Sequence, residues 1–306
     1  MPSPVEGSEA SVQQADQWIS PVSERPEQEG AGDAASGEER AALLSIRGVS
    51  KHFGPVTAVD HVSLDIYPRE VVGLIGDNGA GKSTLLSLLT GYNRADEGEF
   101  VYKGRSVSIS SPRESRHRLR IEMIYQQLQL ARDLTVWENL FLGEEVRRFG
   151  FVMDRRSMRR RAAAVLDQLN SKIRANDLLG TLSGGEQQIV AIGRAIIFER
   201  DIILMDEPTA AISAAKVDDL LQLIRNLKEL GKTIILVSHR LEDVLAVSDR
   251  IAVLVLGRLH CVVPNQGLSV SDLVHLMFGG NGAADGSGRA VAAARWQQQH
   301  TTEDGG

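Results

Sequence analysis

The sequence predicts an α/β fold whose buried strands end in polar residues, and three stretches predict it. Val71-Val72-Gly73-Leu74-Ile75 is an apolar run of strand length that stops at Gly76, and Leu85, Leu86, Leu88 and Leu89 follow at helical spacing. Asp201 to Asp206, DIILMD, is a second buried strand with an acidic end. Thr233 to Val237 is a third, β-branched and apolar, and Ser238-His239 stands at its end. In an α/β sheet that edge is where ligands sit.

A chain of 306 residues with 42% hydrophobic content has enough apolar material for a sizeable core. The formal net charge of −6 argues against a nucleic-acid binder as a whole, leaving only a local basic patch to consider. The single cysteine, Cys261, excludes an internal disulfide framework and fits a reducing compartment. No apolar run approaches the ~18–20 residues of a membrane helix, and no secretory h-region is visible near the start.

From the N-terminus, residues 1–41 are acidic and poor in large apolar groups, which predicts a disordered tail. Leu43 to Ile46 and Val59 to Ile66 are strand candidates separated by Gly54-Pro55. Phe53, just before that turn, has the composition of a core aromatic. Gly76 to Ser83, GDNGAGKS, fits G-x-x-x-x-G-K-[ST] with the required strand before it and helix after it. The backbone through Gly76, Asp77, Asn78, Gly79, Ala80, Gly81, Lys82, Ser83 and Thr84 is thus a candidate phosphate cradle. Within it Lys82 supplies charge for the outer phosphates and Ser83 a hydroxyl ligand for Mg2+.

Beyond the loop, Asp96-Glu97-Gly98 predicts a turn, Glu99–Tyr102 and Val107–Ile109 short strands, and Met123 to Tyr125 a strand leading to Gln126-Gln127. Trp137 to Asn170 has helical periodicity. Met158, Ala162, Val165, Leu166 and Leu169 form its stripe, with Arg155, Arg156, Arg159, Arg160 and Arg161 mostly off it. Such an arginine face suits nucleic acid or acidic lipid; a solvated face is the plainer meaning. Leu182 to Gln188, LSGGEQQ, starts another helix: Ser183 and Glu186 form a capping box, and Gly184 and Gly185 expose N–H donors suited to an anion. Asp206 at its strand end suits the Mg2+ shell, and Glu207 beside it can polarise a water. His239 is either hydrogen-bonded structure or a ligand contact. Ala214–Leu230, Arg240–Val247 and Ser271–Phe278 are helix candidates, Ile251–Leu256 and Leu259–Val263 a hairpin, and 280–306 a second disordered tail.

The ordered set of GDNGAGKS, LSGGEQQ, IILMDEP and the histidine after ILVS resembles the nucleotide-binding subunit of ATP-binding cassette (ABC) transporters, from about Leu43 to Gly279. The resemblance implies a P-loop ATPase core, an N-terminal antiparallel β subdomain and a helical subdomain inserted at about 127–183, with 42–279 as the nucleotide-binding domain. It implies ATP and Mg2+ as cofactors, Phe53 stacking on adenine, and Gln126 touching Mg2+ and water. It further implies Asp206 in the metal shell, Glu207 as catalytic base, His239 as the switch near the γ-phosphate, and Ser183, Gly184 and Gly185 binding the ATP of a facing subunit.

Ser111-Pro112-Arg113, Ile124 to Gln127, Thr135 to Asn139 and Glu207 to Ala211 are similar to the ATP-binding subunits of ribose, xylose and fructose importers. Ser213 stands where the wider family often has Asp, a departure which that carbohydrate group shares. The implied function is ATP hydrolysis in a dimer, coupled to sugar import. The implied partners are membrane-spanning permease chains, a second ATP-binding subunit (a homodimer) and, through the permease, an extracytoplasmic substrate-binding protein; no nucleic acid is expected. The implied location is peripheral, on the cytoplasmic face of the inner membrane. The competing readings are a soluble cassette ATPase acting on ribosomes or DNA, and an importer subunit for a non-sugar substrate.

Overall fold

The computed structural model describes residues 41–148, 151–210, 212 and 216–278. The expected tails, apart from Ala41, and Ser213 lie outside the described residues.

The N-terminal strands are longer than their apolar cores. β1 (Leu44–Phe53) pairs antiparallel with β2 (Val56–Ile66) through the Gly54-Pro55 turn, with three register shifts along the pair. The central strand β3 (Val71–Ile75) is buried throughout and leads through the glycine loop into α1 (Lys82–Leu89), whose four leucines are buried. The antiparallel sheet is then completed by β4 (Glu97–Tyr102) and β5 (Arg105–Val107), in the order β2-β1-β4-β5. Two expectations shift here. Glu97 and Gly98 are strand rather than turn, opposite an irregularity in β1, and the second strand is Arg105–Val107 rather than Val107–Ile109. Val107 pairs with Phe100, while Ile109 is buried beyond the strand end, so burial rather than pairing explains its apolar character.

α2 (Pro112–Glu114) and a π-helical turn over Ser115–Leu119 precede β6 (Ile121–Ile124). The stretch from Trp137 to Asn170 is not one helix. α3 (Val136–Phe141) stops, a two-stranded hairpin of β7 (Arg147–Arg148) and β8 (Val152–Met153) intervenes, and α4 (Arg155–Gln168) begins afresh. The restart has a local cause: the Asp154 carboxylate accepts the Ser157 N–H at 2.9 Å, an N-cap within what periodicity treats as continuous helix. The expected stripe of α4 is buried and its five arginines are exposed.

α5 (Gly184–Ile197), β9 (Ile202–Asp206), α6 (Val217–Glu229), β10 (Thr233–Val237), α7 (Leu241–Val247), β11 (Arg250–Val255), β12 (Arg258–Pro264) and α8 (Val270–Phe278) complete the described chain. The large sheet has the order β12-β11-β3-β10-β9-β6, parallel except for β12. Its strands divide their side chains by alternation: Ile203 and Met205 face the helices α3 to α6, while Ile202 and Leu204 face α1 and the antiparallel sheet. Cover on both faces is why these strands are continuous apolar runs. Val237 lies in one row with Asp206 and Leu74, so β3, β9 and β10 end together at one edge.

The Thr135–Asn139 motif has a structural meaning. Thr135 and Glu138 form a capping box. The fully buried Asn139 accepts the Ala131 N–H at 2.8 Å and donates to the carbonyls of Ala131 and Thr135, both at 3.0 Å. It thereby pins the segment that follows Gln126 onto α3. Asn139→Leu is expected to lower stability by roughly 2–4 kcal/mol, because several buried backbone groups lose their partner; thermal unfolding of the folded chain measures it.

Candidate nucleotide site

The phosphate loop is held open by close backbone approaches that only glycine permits. A Cβ on Gly76 would lie 2.3 Å from the Leu254 carbonyl oxygen, and one on Gly81, whose φ is 99°, would lie 2.4 Å from that of Ala58. The Gly257 N–H donates to Ala80 O at 3.0 Å, and Gly257 O accepts the Asp60 N–H at 2.8 Å. The β11–β12 turn therefore braces the loop, a contact that no sequence pattern marked; Gly257 between two apolar strands was its one visible trace.

Lys82 Nζ donates to the carbonyls of Gly76 at 2.7 Å and Asp77 at 2.9 Å. Burial pushes its pKa down, against the pull of Glu207, Asp77 and Asp206. Asp206 responds in the opposite sense: burial raises its pKa, Glu207 raises it further and Lys82 lowers it. One cation and two carboxylates thus share the edge where β3 and β9 end. Ser83 is exposed in the first turn of α1. Gln126 is exposed two residues beyond β6, the neighbour of β9.

Among the described residues no hydrogen bond or ion pair engages the Asp206 carboxylate, and no group of three or more His, Cys, Asp or Glu side chains could hold a metal. Mg2+ does not require such a cage. It is bound by one or two protein oxygens together with water and phosphate oxygens, and the carboxylate, hydroxyl and amide of Asp206, Ser83 and Gln126 fit that donor set.

Glu207 follows Asp206 with φ at 50°, a left-handed conformation that non-glycine residues seldom take and that clusters at functional sites. Its Oε2 lies 2.6 Å from His239 Nδ1 and accepts the His239 N–H at 3.3 Å. The pair joins the ends of β9 and β10, with the imidazole largely exposed and the carboxylate only 16% exposed. His239 is therefore hydrogen-bonded and at the ligand edge at once.

Phe53 is not a core residue. Its ring is 46% exposed at the end of β1, with Lys51 Nζ 5.5 Å from the ring centroid. Nearly half of the residue stays open to solvent beside the hairpin turn, and an accessible aromatic is what a stacking role requires. Ser183 caps α5 as expected: its N–H and hydroxyl donate to Glu186 Oε2 at 2.8 and 2.7 Å. Ser183 and Gly184 are exposed, and among the described residues no hydrogen bond or ion pair links residues 183–185 to the phosphate loop.

The family model for the ABC transporter matches residues 59–210. The chain is 38% identical over 259 residues to the fructose import ATP-binding protein FrcA of Rhizobium meliloti, covering 82% of this chain and 98% of that one. It is 41% identical over 236 residues to the xylose/arabinose import ATP-binding protein XylG of Sulfolobus acidocaldarius, covering 77% and 93%. Against the ribose import ATP-binding protein RbsA 3 of Rubrobacter xylanophilus it is 39% identical over 237 residues, 78% of this chain but 48% of that one, so it spans about half of that relative.

Among solved structures, a nucleotide-free ATP-binding cassette from an ABC transporter superposes with a TM-score of 0.67 at 29% identity, covering 74% of this chain and 92% of that one. A dimeric post-hydrolysis state of the cassette MJ0796, bound to ADP and Pi, does so with a TM-score of 0.61 at 29% identity, covering 74% and 100%. With a braced phosphate loop, an acidic strand end and a capped signature helix on this sheet, the chain belongs to the ABC transporter family, as an ATP-binding subunit that hydrolyses ATP.

Proposed function

We propose that this chain drives sugar import as one of two ATPase subunits beneath a membrane permease. The observation that carries the ATPase site is the meeting of Lys82, Asp206, Glu207 and His239 at one sheet edge. The sugar reading rests on relatives named for fructose, xylose/arabinose and ribose import. Among the described residues no helix is long and apolar enough to cross a membrane, so the spanning path is assigned to permease chains. The chain is then peripheral, on the cytoplasmic face of the inner membrane, and the permease receives the sugar from an extracytoplasmic binding protein.

In this reading the loop N–H groups and Lys82 hold the phosphates, and Phe53 offers its open face to adenine. Asp206, Ser83 and Gln126 hold Mg2+, which when bound neutralises charge on the outer phosphate oxygens. Glu207 takes a proton from the attacking water. His239, already against Glu207, positions that carboxylate and reaches toward the γ-phosphate. Inactivating the gene is expected to abolish uptake of at least one of labelled ribose, xylose and fructose; unchanged uptake of all three would overturn the sugar assignment.

Ser183, Gly184 and Gly185 complete the site of the facing subunit, which makes ATP the bridge between two copies. The exposed, unlinked N-terminus of α5 supports this reading. Lys82→Ala chains mixed with Ser183→Arg chains place both defects in one site and leave the other intact. ATP-driven dimer closure is expected to return on mixing, read by light scattering. Mixed dimers that form without any recovery would rule out a shared site.

A further inference from the structure

The β7–β8 hairpin and the start of α4 carry a feature that ATP chemistry does not use. Phe151 is 80% exposed, Val152 49% and Met153 42%. Around them, residues 147–161 hold seven arginines and a single acidic residue, Asp154, in a chain whose net charge is −6. Asp154 is occupied in capping α4. Arg161 is spoken for by the Ile197 carbonyl at 2.9 Å and by the Phe141 ring, and Arg159 lies over Trp137. Among the described residues no side-chain hydrogen bond or ion pair engages Arg147, Arg155, Arg156 or Arg160; Glu145 and Glu138 lie near enough to Arg147 and Arg155 to interact electrostatically, and all four arginines are exposed. On α4, Arg156 and Arg160 are one turn apart in a row opposite the buried stripe, and Arg155 and Arg159 form a second row at the flank of that stripe. The span from Arg155 to Arg160 is about 8 Å, so the charge lies directly beside the apolar hairpin.

The arrangement discriminates between partners. Successive side chains of a strand point to opposite faces, so Val152 and Met153 are exposed on both sides of the hairpin. A groove on another protein covers one such face and leaves the other wet; a fluid apolar medium covers both. Nucleic acid gains nothing from the apolar pair, whereas a basic rim around an apolar tip is the composition that holds an anionic bilayer surface.

We propose that β7, the stretch from Phe151 to Met153 and the first two turns of α4 form a docking surface for anionic phospholipid headgroups, with Phe151, Val152 and Met153 entering the acyl boundary. The surface supplements the permease as a membrane contact and stands independently of the transported substrate.

The test uses the full chain with phosphatidylcholine vesicles, with and without phosphatidylglycerol, in a flotation assay. Binding is expected only with phosphatidylglycerol and is expected to weaken as salt is raised. Joint reversal of three charges, Arg155→Glu, Arg156→Glu and Arg160→Glu, is expected to weaken it by at least roughly tenfold. A second variant, Phe151→Ser with Val152→Ser, is expected to retain charge-driven association but to lose insertion into a lipid monolayer. ATP hydrolysis by both variants at the wild-type rate reports that they are folded. Equal flotation with neutral vesicles, no flotation at all, or charge-reversed protein that floats like wild type overturns the proposal. So does a loss confined to binding of duplex DNA.

Discussion

Lys82→Ala is expected to weaken ATP binding by about a hundredfold, equivalent to ~3 kcal/mol for lost charge-assisted contacts, and to abolish turnover. Lys82 is a cation set among Asp77, Asp206 and Glu207, and burial already works against its charge. Without it, no side-chain cation among the described residues offsets Asp206, whose pKa burial and Glu207 both raise. Incoming phosphates would then meet Asp77, Asp206 and Glu207 with no side-chain cation of the loop in their favour. Titration with a fluorescent ATP analogue, alongside circular dichroism to verify the fold, measures the effect. Wild-type affinity in this variant would mean that the loop does not hold the phosphates.

The second large effect is at the neighbouring acid. Glu207→Gln is expected to keep ATP binding and to slow hydrolysis by roughly a thousandfold, the range a positioned general base supplies. The amide preserves the length of the side chain and an oxygen able to accept the His239 N–H, so the junction between β9 and β10 stays formed. What is lost is the proton acceptor. Unhydrolysed ATP should then accumulate between two chains, visible as a stable dimer by size exclusion in ATP but not in ADP. Turnover near the wild-type rate, measured with the membrane partners present, would remove Glu207 from the catalytic role.

The two residues differ in how far their behaviour was legible beforehand. The place of Lys82 followed from eight consecutive residues and their flanks. The behaviour of Glu207 did not. Its identity and its position after an acidic strand end were readable, but its left-handed backbone and its contact with His239 arise only when β9 and β10 lie side by side.

The same division runs through the molecule. Sequence alone determined what depends on neighbours within a few residues: the glycine loop, the capping box at Ser183, the apolar strands, and the helical stripe of α4. These are set by dihedral freedom, capping and periodicity, all of which are local. Tertiary structure alone decided what depends on distant segments meeting. It left Phe53 open to solvent and set the β11–β12 turn against the phosphate loop. It also buried Arg200 against Glu122 and Glu144, at 3.4 and 2.5 Å, where composition suggests surface charge. Glu122 and Arg200 are 78 residues apart, and Glu207 and His239 are 32 apart. Periodicity reports which face of an element is apolar, but not which other element covers it, so exposure and pairing at such positions are properties of the assembled sheet and helices.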